Sequence, residues 1–119
     1  MYDWCAFIDV DEFICVRDST KSFKEILEEY SAFPSLAINW RLFGSSGLKY
    51  DGRSDVVTRF TRCGSWLNRH VKQIENLKML RENGMMGKAC FTNPHCGNWA
   101  AANQERNAVR GPFNTDNLD

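Results

Sequence analysis

Near its start the chain has a short apolar run that ends in acids, WCAFI followed by DVDE, at residues 4–12. The length of the run and its β-favouring residues predict a buried strand over Trp4–Ile8 that stops at Asp9. Carboxylates are costly to bury in the middle of a strand, so the acids should lie at its end. We therefore expect a sheet whose first strand brings acidic side chains to one edge.

The next segments predict a mixed α/β pattern. Ser22 and Glu25 form a capping box, and the residues after them have the apolar spacing of a helix that ends at Phe33-Pro34. Residues 36–43 alternate as a strand that leads into the Gly44–Gly47 loop. Residues 56–62 (VVTRFTR) predict a second strand of this kind.

The second half of the chain is less regular. Residues 68–83 have apolar residues at helical spacing, with a short strand over Val71–Ile74 as the alternative. Lys88–Thr92 predicts another short strand. From Asn93 onward, Asn, Gly and Pro are frequent, which predicts a loop-rich tail with burial only near residues 99–102 and Val109. We expect a single domain over residues 1–119, with a mixed sheet and flanking helices.

Composition excludes some classes of function. Fifteen basic residues balance fifteen acidic ones, so no net field recruits nucleic acid or an anionic membrane. No apolar run reaches the length of a transmembrane segment. The odd number of cysteines, five, favours a reducing compartment over a disulfide scaffold, with two bridges and one free thiol as the alternative.

The acids at the strand end predict a metal site. If the strand continues to them, the carboxylates of Asp9 and Asp11 point to the same side. Hard oxygen ligands suit Mg²⁺ or Mn²⁺, which keep open positions for substrate phosphates. Two alternatives remain: a solvated turn, and a phosphatase of the haloacid-dehalogenase type. Phe13 disfavours the second, because such enzymes have Thr or Val at this position.

Six segments occur in a specific order: WCAFIDVDEF, LAINWRLFGSSG, VVTRFTR, NRHVKQI, FTNPH and GPFN. Together they resemble the family-2-like and family-92 group of glycosyltransferases. The resemblance implies a partial GT-A fold in which residues 1–119 form the C-terminal part of the domain, without its nucleotide-binding half. It also implies metal-dependent transfer of a sugar from a nucleotide-diphosphate donor, such as a UDP-sugar, to a glycan acceptor in polysaccharide biosynthesis. We therefore expect a cytoplasmic protein of bacterial type, or a Golgi-lumen protein if the parent is eukaryotic.

The resemblance also assigns site residues. Asp9 and Asp11 match the family's Asp-x-Asp motif, which holds the metal and the donor diphosphate. Arg59 and Lys72 match basic positions expected near that diphosphate; the alternative is a solvated basic face formed with Arg62, Arg69 and His70. His95 is a candidate metal ligand, with an ordinary loop histidine as the alternative. A zinc site formed by His95 and nearby cysteines is a further, less regular alternative.

The remaining candidates concern the acceptor. Trp40 is either a platform for a sugar ring or a core residue of its strand. Gly44, Ser45, Ser46 and Gly47 predict a loop that approaches the acceptor closely or makes a tight turn. Asp51 and Asp55 are candidate catalytic bases, with a hairpin turn as the alternative. The alternative function for the whole chain is a truncated, non-catalytic α/β module that binds a protein partner or an oligosaccharide.

Overall fold

The computed structural model describes residues 1–45, 47, 49, 55–86, 91–93, 96, 97 and 99–114. In chain order the elements are β1 (Trp4–Ala6), α1 (Phe23–Glu29), β2 (Ser35–Trp40), α2 (Val56–Arg59), β3 (Asn68–Asn76), α3 (Leu77–Glu82), β4 (Phe91–Asn93), β5 (Cys96–Gly97), β6 (Ala101–Ala102) and β7 (Ala108–Val109). The predicted mixed α/β fold is confirmed, and it is consistent with part of a glycosyltransferase fold.

The main sheet has five strands in the order β1-β3-β2-β6-β7. The long strand β3 pairs antiparallel with both β1 and β2. β2 pairs parallel with β6, and β6 pairs antiparallel with β7. β4 and β5 form a separate two-stranded sheet. The mixed sheet therefore has β3 and β2 at its centre, where the last six residues of β3 are buried.

Each face of the main sheet carries its own core. On one face, Leu36 and Ala102 pack with Tyr30 and with half-buried side chains of α1. On the other face, Ala37, Val71, Ala101 and Val109 form a second cluster. This division follows from strand geometry, because neighbouring residues such as Leu36 and Ala37 point to opposite faces.

The predicted α1 helix and its capping box are confirmed. The Ser22 hydroxyl accepts a hydrogen bond from the Glu25 backbone N–H at 3.3 Å, and the Ser22 N–H donates to the Glu25 carboxylate at 2.7 Å. The helix ends at Glu29, four residues before the predicted end at Phe33-Pro34. The predicted strand over residues 36–43 is also confirmed, as the shorter β2.

Residues 68–76 form a strand, so the helix predicted over residues 68–83 is wrong for this half and right only for Leu77–Glu82. The alternative strand over Val71–Ile74 is confirmed and is longer than predicted. The apolar spacing resembled that of a helix because β3 is buried on both faces. Val71 belongs to one core cluster, and Ile74 pairs with Leu36, which belongs to the other. A strand buried on both faces lacks the alternation that identifies a half-buried one.

The strand predicted over residues 56–62 is wrong, because Val56–Arg59 is a helical turn. The carbonyl oxygen of Asp55 accepts hydrogen bonds from the backbone N–H groups of Thr58 and Arg59, both at 3.1 Å, and from the Thr58 hydroxyl at 2.9 Å. These local bonds override the β propensity of the two valines. Further along, Cys63 forms an isolated bridge with Phe43.

Two further predictions need correction. The strand predicted over Trp4–Ile8 ends at Ala6, and Phe7 and Ile8 are about half exposed, at 52% and 50%. The tail after Asn93 is not only loop, since β6 and β7 join the main sheet. The predicted burial at Ala101, Ala102 and Val109 is confirmed, but burial in the tail is not limited to these positions, because Cys96, Asn103 and Asn114 are buried as well. Of the strand predicted over residues 88–92, residues 91 and 92 lie in β4, while residues 88–90 lie outside the described residues.

Candidate active site

The four acidic-motif residues Asp9–Glu12 form a tight turn after β1; we call it the acidic turn. The Glu12 backbone N–H donates to the Asp9 carbonyl oxygen at 3.0 Å. The Asp9 N–H donates in turn to the Glu12 carboxylate at 2.8 Å. Because β1 ends at Ala6, the two-residue alternation of a strand does not orient Asp9 and Asp11. The premise that the strand carries both carboxylates is wrong, and a hydrogen-bonded turn holds them instead.

Lys72, in the centre of β3, anchors the acidic turn to the sheet. Its side chain is only 7% exposed, and its Nζ atom lies 3.0 Å from the Glu12 carboxylate and 3.7 Å from that of Asp9. A buried ammonium group needs such partners, because burying it unpaired would be very costly. The turn is therefore held over the sheet by its own Glu12 and by Lys72, while the Asp9 side chain remains 65% exposed.

The acidic turn provides ligands of the type that a hard divalent cation binds. Asp9 and Asp11 lie in one turn, both are exposed, and their carboxylates are hard oxygen donors suited to Mg²⁺ or Mn²⁺. Among the described residues no group of three or more His, Cys, Asp or Glu side chains is assembled for a metal. His95, the third predicted ligand, lies outside the described residues. The binding of Mg²⁺ or Mn²⁺ by Asp9, Asp11 and His95 stays a prediction.

An aromatic row of Trp40, His70 and Phe113 lies next to Lys72. The Trp40 and His70 rings are stacked, with centroids 5.2 Å apart and planes 16° apart. The Phe113 ring is tilted against His70 at 4.5 Å. Lys72 Nζ is 5.9 Å from the centroid of the Trp40 ring, so this lysine contacts both the acidic turn and the aromatic row. Carboxylates, a cation and aromatic faces are thus brought together at one place on the sheet.

The family of the chain follows from a match to a known sequence family. Residues 1–96 match the family model described as Glycosyltransferase family 92. The chain belongs to glycosyltransferase family 92. The match includes the acidic turn, Lys72, Trp40 and His70. No curated protein and no solved structure matches the chain.

Membership in family 92 makes the protein an enzyme that takes a sugar donor and a glycan acceptor. It favours the glycosyltransferase over the alternative of a non-catalytic module. Within the part of the chain that the structure describes, no helix is long and apolar enough to cross a membrane.

The basic residues predicted near the donor diphosphate of this family-92 enzyme have different surroundings. Arg59 lies in α2, with its guanidinium carbon 4.7 Å from the centroid of the Phe60 ring. Arg62 and Arg69 are exposed, and His70 belongs to the aromatic row. Lys72 forms ion pairs with Glu12 and Asp9. The binding of the donor diphosphate by Arg59 and Lys72 stays a prediction.

The predicted acceptor loop of the family-92 enzyme begins after β2. Gly44 donates its backbone N–H to the Arg62 carbonyl oxygen at 2.9 Å, and a side chain at Gly44 would meet nothing within 4 Å. Gly47 has φ +80°, which indicates a turn that favours glycine. Ser45 is exposed, and Ser46 lies outside the described residues. The role of this loop in acceptor binding stays a prediction.

Neither candidate catalytic base is placed against the acidic turn by a described contact. Asp51 lies outside the described residues. Asp55 is exposed and precedes α2, where its backbone carbonyl accepts the bonds that start the helical turn. Both assignments stay predictions.

Sequence reasoning missed Phe113 as part of the site and placed His70 in a basic cluster. Phe113 belongs to the GPFN segment, but it lies 43 positions after His70, and only the bridge between these two residues brings their rings together. No local spacing pattern reports such a contact. The one signal in the sequence was that Phe113 is an aromatic residue within the GPFN segment.

Proposed function

We propose that this family-92 enzyme transfers a sugar from a UDP-sugar to a glycan acceptor in a reaction that depends on Mn²⁺ or Mg²⁺. The observation that carries the proposal is the acidic turn, which the Glu12–Lys72 ion pair fixes over the sheet while Asp9 and Asp11 remain open to solvent. Fixed but accessible carboxylates are what a site for a metal-bound diphosphate requires.

Each residue of the acidic turn has a distinct role in this proposal. Asp9 and Asp11 would hold the divalent cation, which would supply charge neutralisation for the departing nucleoside diphosphate. Glu12 closes the turn through its bond with the Asp9 N–H, and Lys72 acts through Glu12 as a positioning residue. The aspartates are free to turn toward the cation because their side chains face solvent.

The proposal is tested by the variant Asp11→Asn. We expect it to abolish Mn²⁺-dependent binding of UDP, measured by isothermal titration calorimetry, and to reduce Mn²⁺ binding measured by electron paramagnetic resonance. Losing one charged oxygen ligand removes much of the attraction for a hard cation. Sugar transfer by the protein from UDP-sugars should fall by at least about a hundredfold, the order of effect of losing one strong electrostatic contact.

The matched control is Glu28→Gln, which also removes one exposed carboxylate, but on α1 rather than in the acidic turn. This variant should bind Mn²⁺ and UDP as the wild type does. UDP binding that is equally strong with and without Mn²⁺, or equally strong in Asp11→Asn, would contradict the metal-dependent proposal.

A further inference from the structure

We infer that a cavity at the β6–β7 edge of the main sheet binds a small organic carboxylate with an aromatic body. The cavity has a volume of about 350 Å³, and Phe33, Trp99, Arg106 and Arg110 are among the residues that line it. We call it the arginine cavity. A ligand site here goes beyond the proposed function, because neither the donor nor the acceptor of that reaction is assigned to this part of the sheet.

The arginine cavity is separate from the acidic turn. The acidic turn follows β1 at one edge of the sheet and is anchored to β3, whereas the cavity is lined by residues of β6 and β7 at the other edge. Along β2, the cavity residue Ala102 pairs with Leu36, near the start of the strand, while Lys72 pairs with Ile38. A ligand in the cavity would therefore not occupy the place proposed for the metal-bound diphosphate.

The walls of the arginine cavity are mainly apolar. Phe33, Pro34 and Trp99 are half-buried and contribute two aromatic side chains and a proline ring. The other apolar lining residues are all alanines, at positions 100, 101, 102 and 108. Small side chains leave room between the rings, and aromatic side chains pack well against an aromatic ligand. Apolar walls with a few polar groups are typical of sites for small molecules.

The charge of the arginine cavity favours an anion. Arg106 and Arg110 are exposed, and neither forms an ion pair with a carboxylate of the described residues. The neighbouring Glu105 carboxylate instead accepts a hydrogen bond from the Asn107 side chain at 3.3 Å. A guanidinium group binds a carboxylate through two parallel hydrogen bonds. Two such groups beside apolar walls suit a single carboxylate on an aromatic body.

The backbone at Arg106 supports a role for its side chain. Its φ angle of 63° lies in the left-handed region, which favours glycine over arginine. The turn is fixed by the buried Asn103, whose carbonyl oxygen accepts from the Arg106 N–H at 2.9 Å. The Asn103 side-chain oxygen also accepts from the N–H groups of Glu105 and Asn107, at 3.0 and 2.9 Å. A rigid turn thus presents the guanidinium group at a position where the backbone alone would favour glycine.

The inference is tested by titrating the protein with hydrocinnamate and, as a neutral match of the same shape, with hydrocinnamamide. Backbone amide signals are followed by heteronuclear NMR. We expect hydrocinnamate to cause saturable shifts at Ala101, Ala102 and Ala108, which line the cavity. The amide should bind roughly tenfold more weakly or less tightly still, because it lacks the charge that the guanidinium groups recognise.

Three variants locate the binding. Arg106→Gly removes the guanidinium group but suits the φ angle of this position, so it should fold and bind hydrocinnamate about tenfold more weakly. Ala108→Ile places a larger, strand-favouring side chain in the cavity and should also weaken binding. The matched control is Arg17→Gln, which removes an exposed arginine outside the cavity and should bind as the wild type does.

Several results would overturn the inference. These are the absence of saturable binding in the wild type, equal binding of the acid and the amide, and equal binding by the wild type and Arg106→Gly. Loss of Mn²⁺-dependent UDP binding in Arg106→Gly would assign the arginines to the donor instead. A wild-type dimer in sedimentation that Ala108→Ile dissociates would make the cavity an interface between copies of this chain.

Discussion

Glu75 places a carboxyl group in the middle of the main sheet, with its side chain fully buried. It lies directly opposite Ser35 of β2 and Cys5 of β1. Neither carboxyl oxygen makes a hydrogen bond of regular geometry within the described part of the protein. Burial raises the pKa of Glu75 from 4.5 to about 7, and the nearby Ser35 hydroxyl offsets part of this rise. At neutral pH, Glu75 therefore lowers the stability of the folded protein.

The raised pKa of Glu75 predicts how stability depends on pH. Between pH 4.5 and 7 the folded protein keeps a proton that the unfolded chain releases, so the free energy of unfolding falls as pH rises through this range. Above pH 7 the loss from this group reaches at most about 3 kcal/mol. Glu75→Gln should flatten this dependence and raise stability at pH 8, measured by urea unfolding at pH 5 and pH 8.

The control for this prediction is Glu82→Gln, which neutralises an exposed carboxylate at the end of α3. It should leave the pH dependence unchanged. If Glu75→Gln and the wild type lose stability in parallel between pH 5 and pH 8, a different group is responsible for the loss.

At the scale of elements, α1 is a helix of only seven residues, so its ends matter more than its interior. Isolated helices of this length are marginal in water, and most of their stability comes from packing and caps. Ile26 and Leu27 pack against the core cluster that contains Leu36, while Ser22 and Glu25 satisfy each other's backbone N–H groups.

The capping box is expected to stabilise the folded protein measurably. Ser22→Ala removes the hydroxyl that accepts from the Glu25 N–H, and should lower the free energy of unfolding by about 1 kcal/mol. Thermal and urea unfolding measure the change. Ser19→Ala, in the turn before the helix, should differ from the wild type by less than about 0.5 kcal/mol. Equal losses in the two variants would show that the cap does not stabilise the helix.

At the scale of the whole molecule, three asparagines connect distant parts of the chain. Asn114 donates from Nδ2 to the Asn39 side-chain oxygen at 3.0 Å, and Asn103 donates from Nδ2 to the Asn114 side-chain oxygen at 3.3 Å. Asn39 donates in turn to the Asn68 carbonyl oxygen at 2.9 Å. Asn103 and Asn114 are fully buried. This network joins β2, the start of β3 and the final described segment, and it fixes the backbone beside Phe113.

Removing the centre of this network should loosen the end of the chain. We expect Asn114→Ala to lower the free energy of unfolding by about 1–3 kcal/mol, because it leaves buried polar partners less well satisfied. Hydrogen exchange should also become faster at the backbone amides of β6 and β7. Gln104→Ala removes an exposed amide side chain close to Asn103 and should change neither measurement. Unchanged exchange in Asn114→Ala would contradict a role of the network in holding this hairpin.

Features with a local cause could be predicted from the order of residues alone. Ser22 and Glu25 are three residues apart and cap α1 wherever the helix lies, and the alternation after Ser35 identifies β2. The acids after the first apolar run, with the ordered segments around them, were sufficient to predict the glycosyltransferase family, which the match over residues 1–96 confirms.

Other features depend on contacts between residues that are distant in the chain, and these could not be predicted from local patterns. β3 is a strand because strands on both sides pair with it and both of its faces are buried, so its apolar spacing gave a false helical signal. Lys72 meets Glu12, and His70 meets Phe113, only after the sheet has formed. Local patterns report the preferences of neighbouring residues along the chain, but the partner of a buried charge or ring is set by the packing of the whole fold.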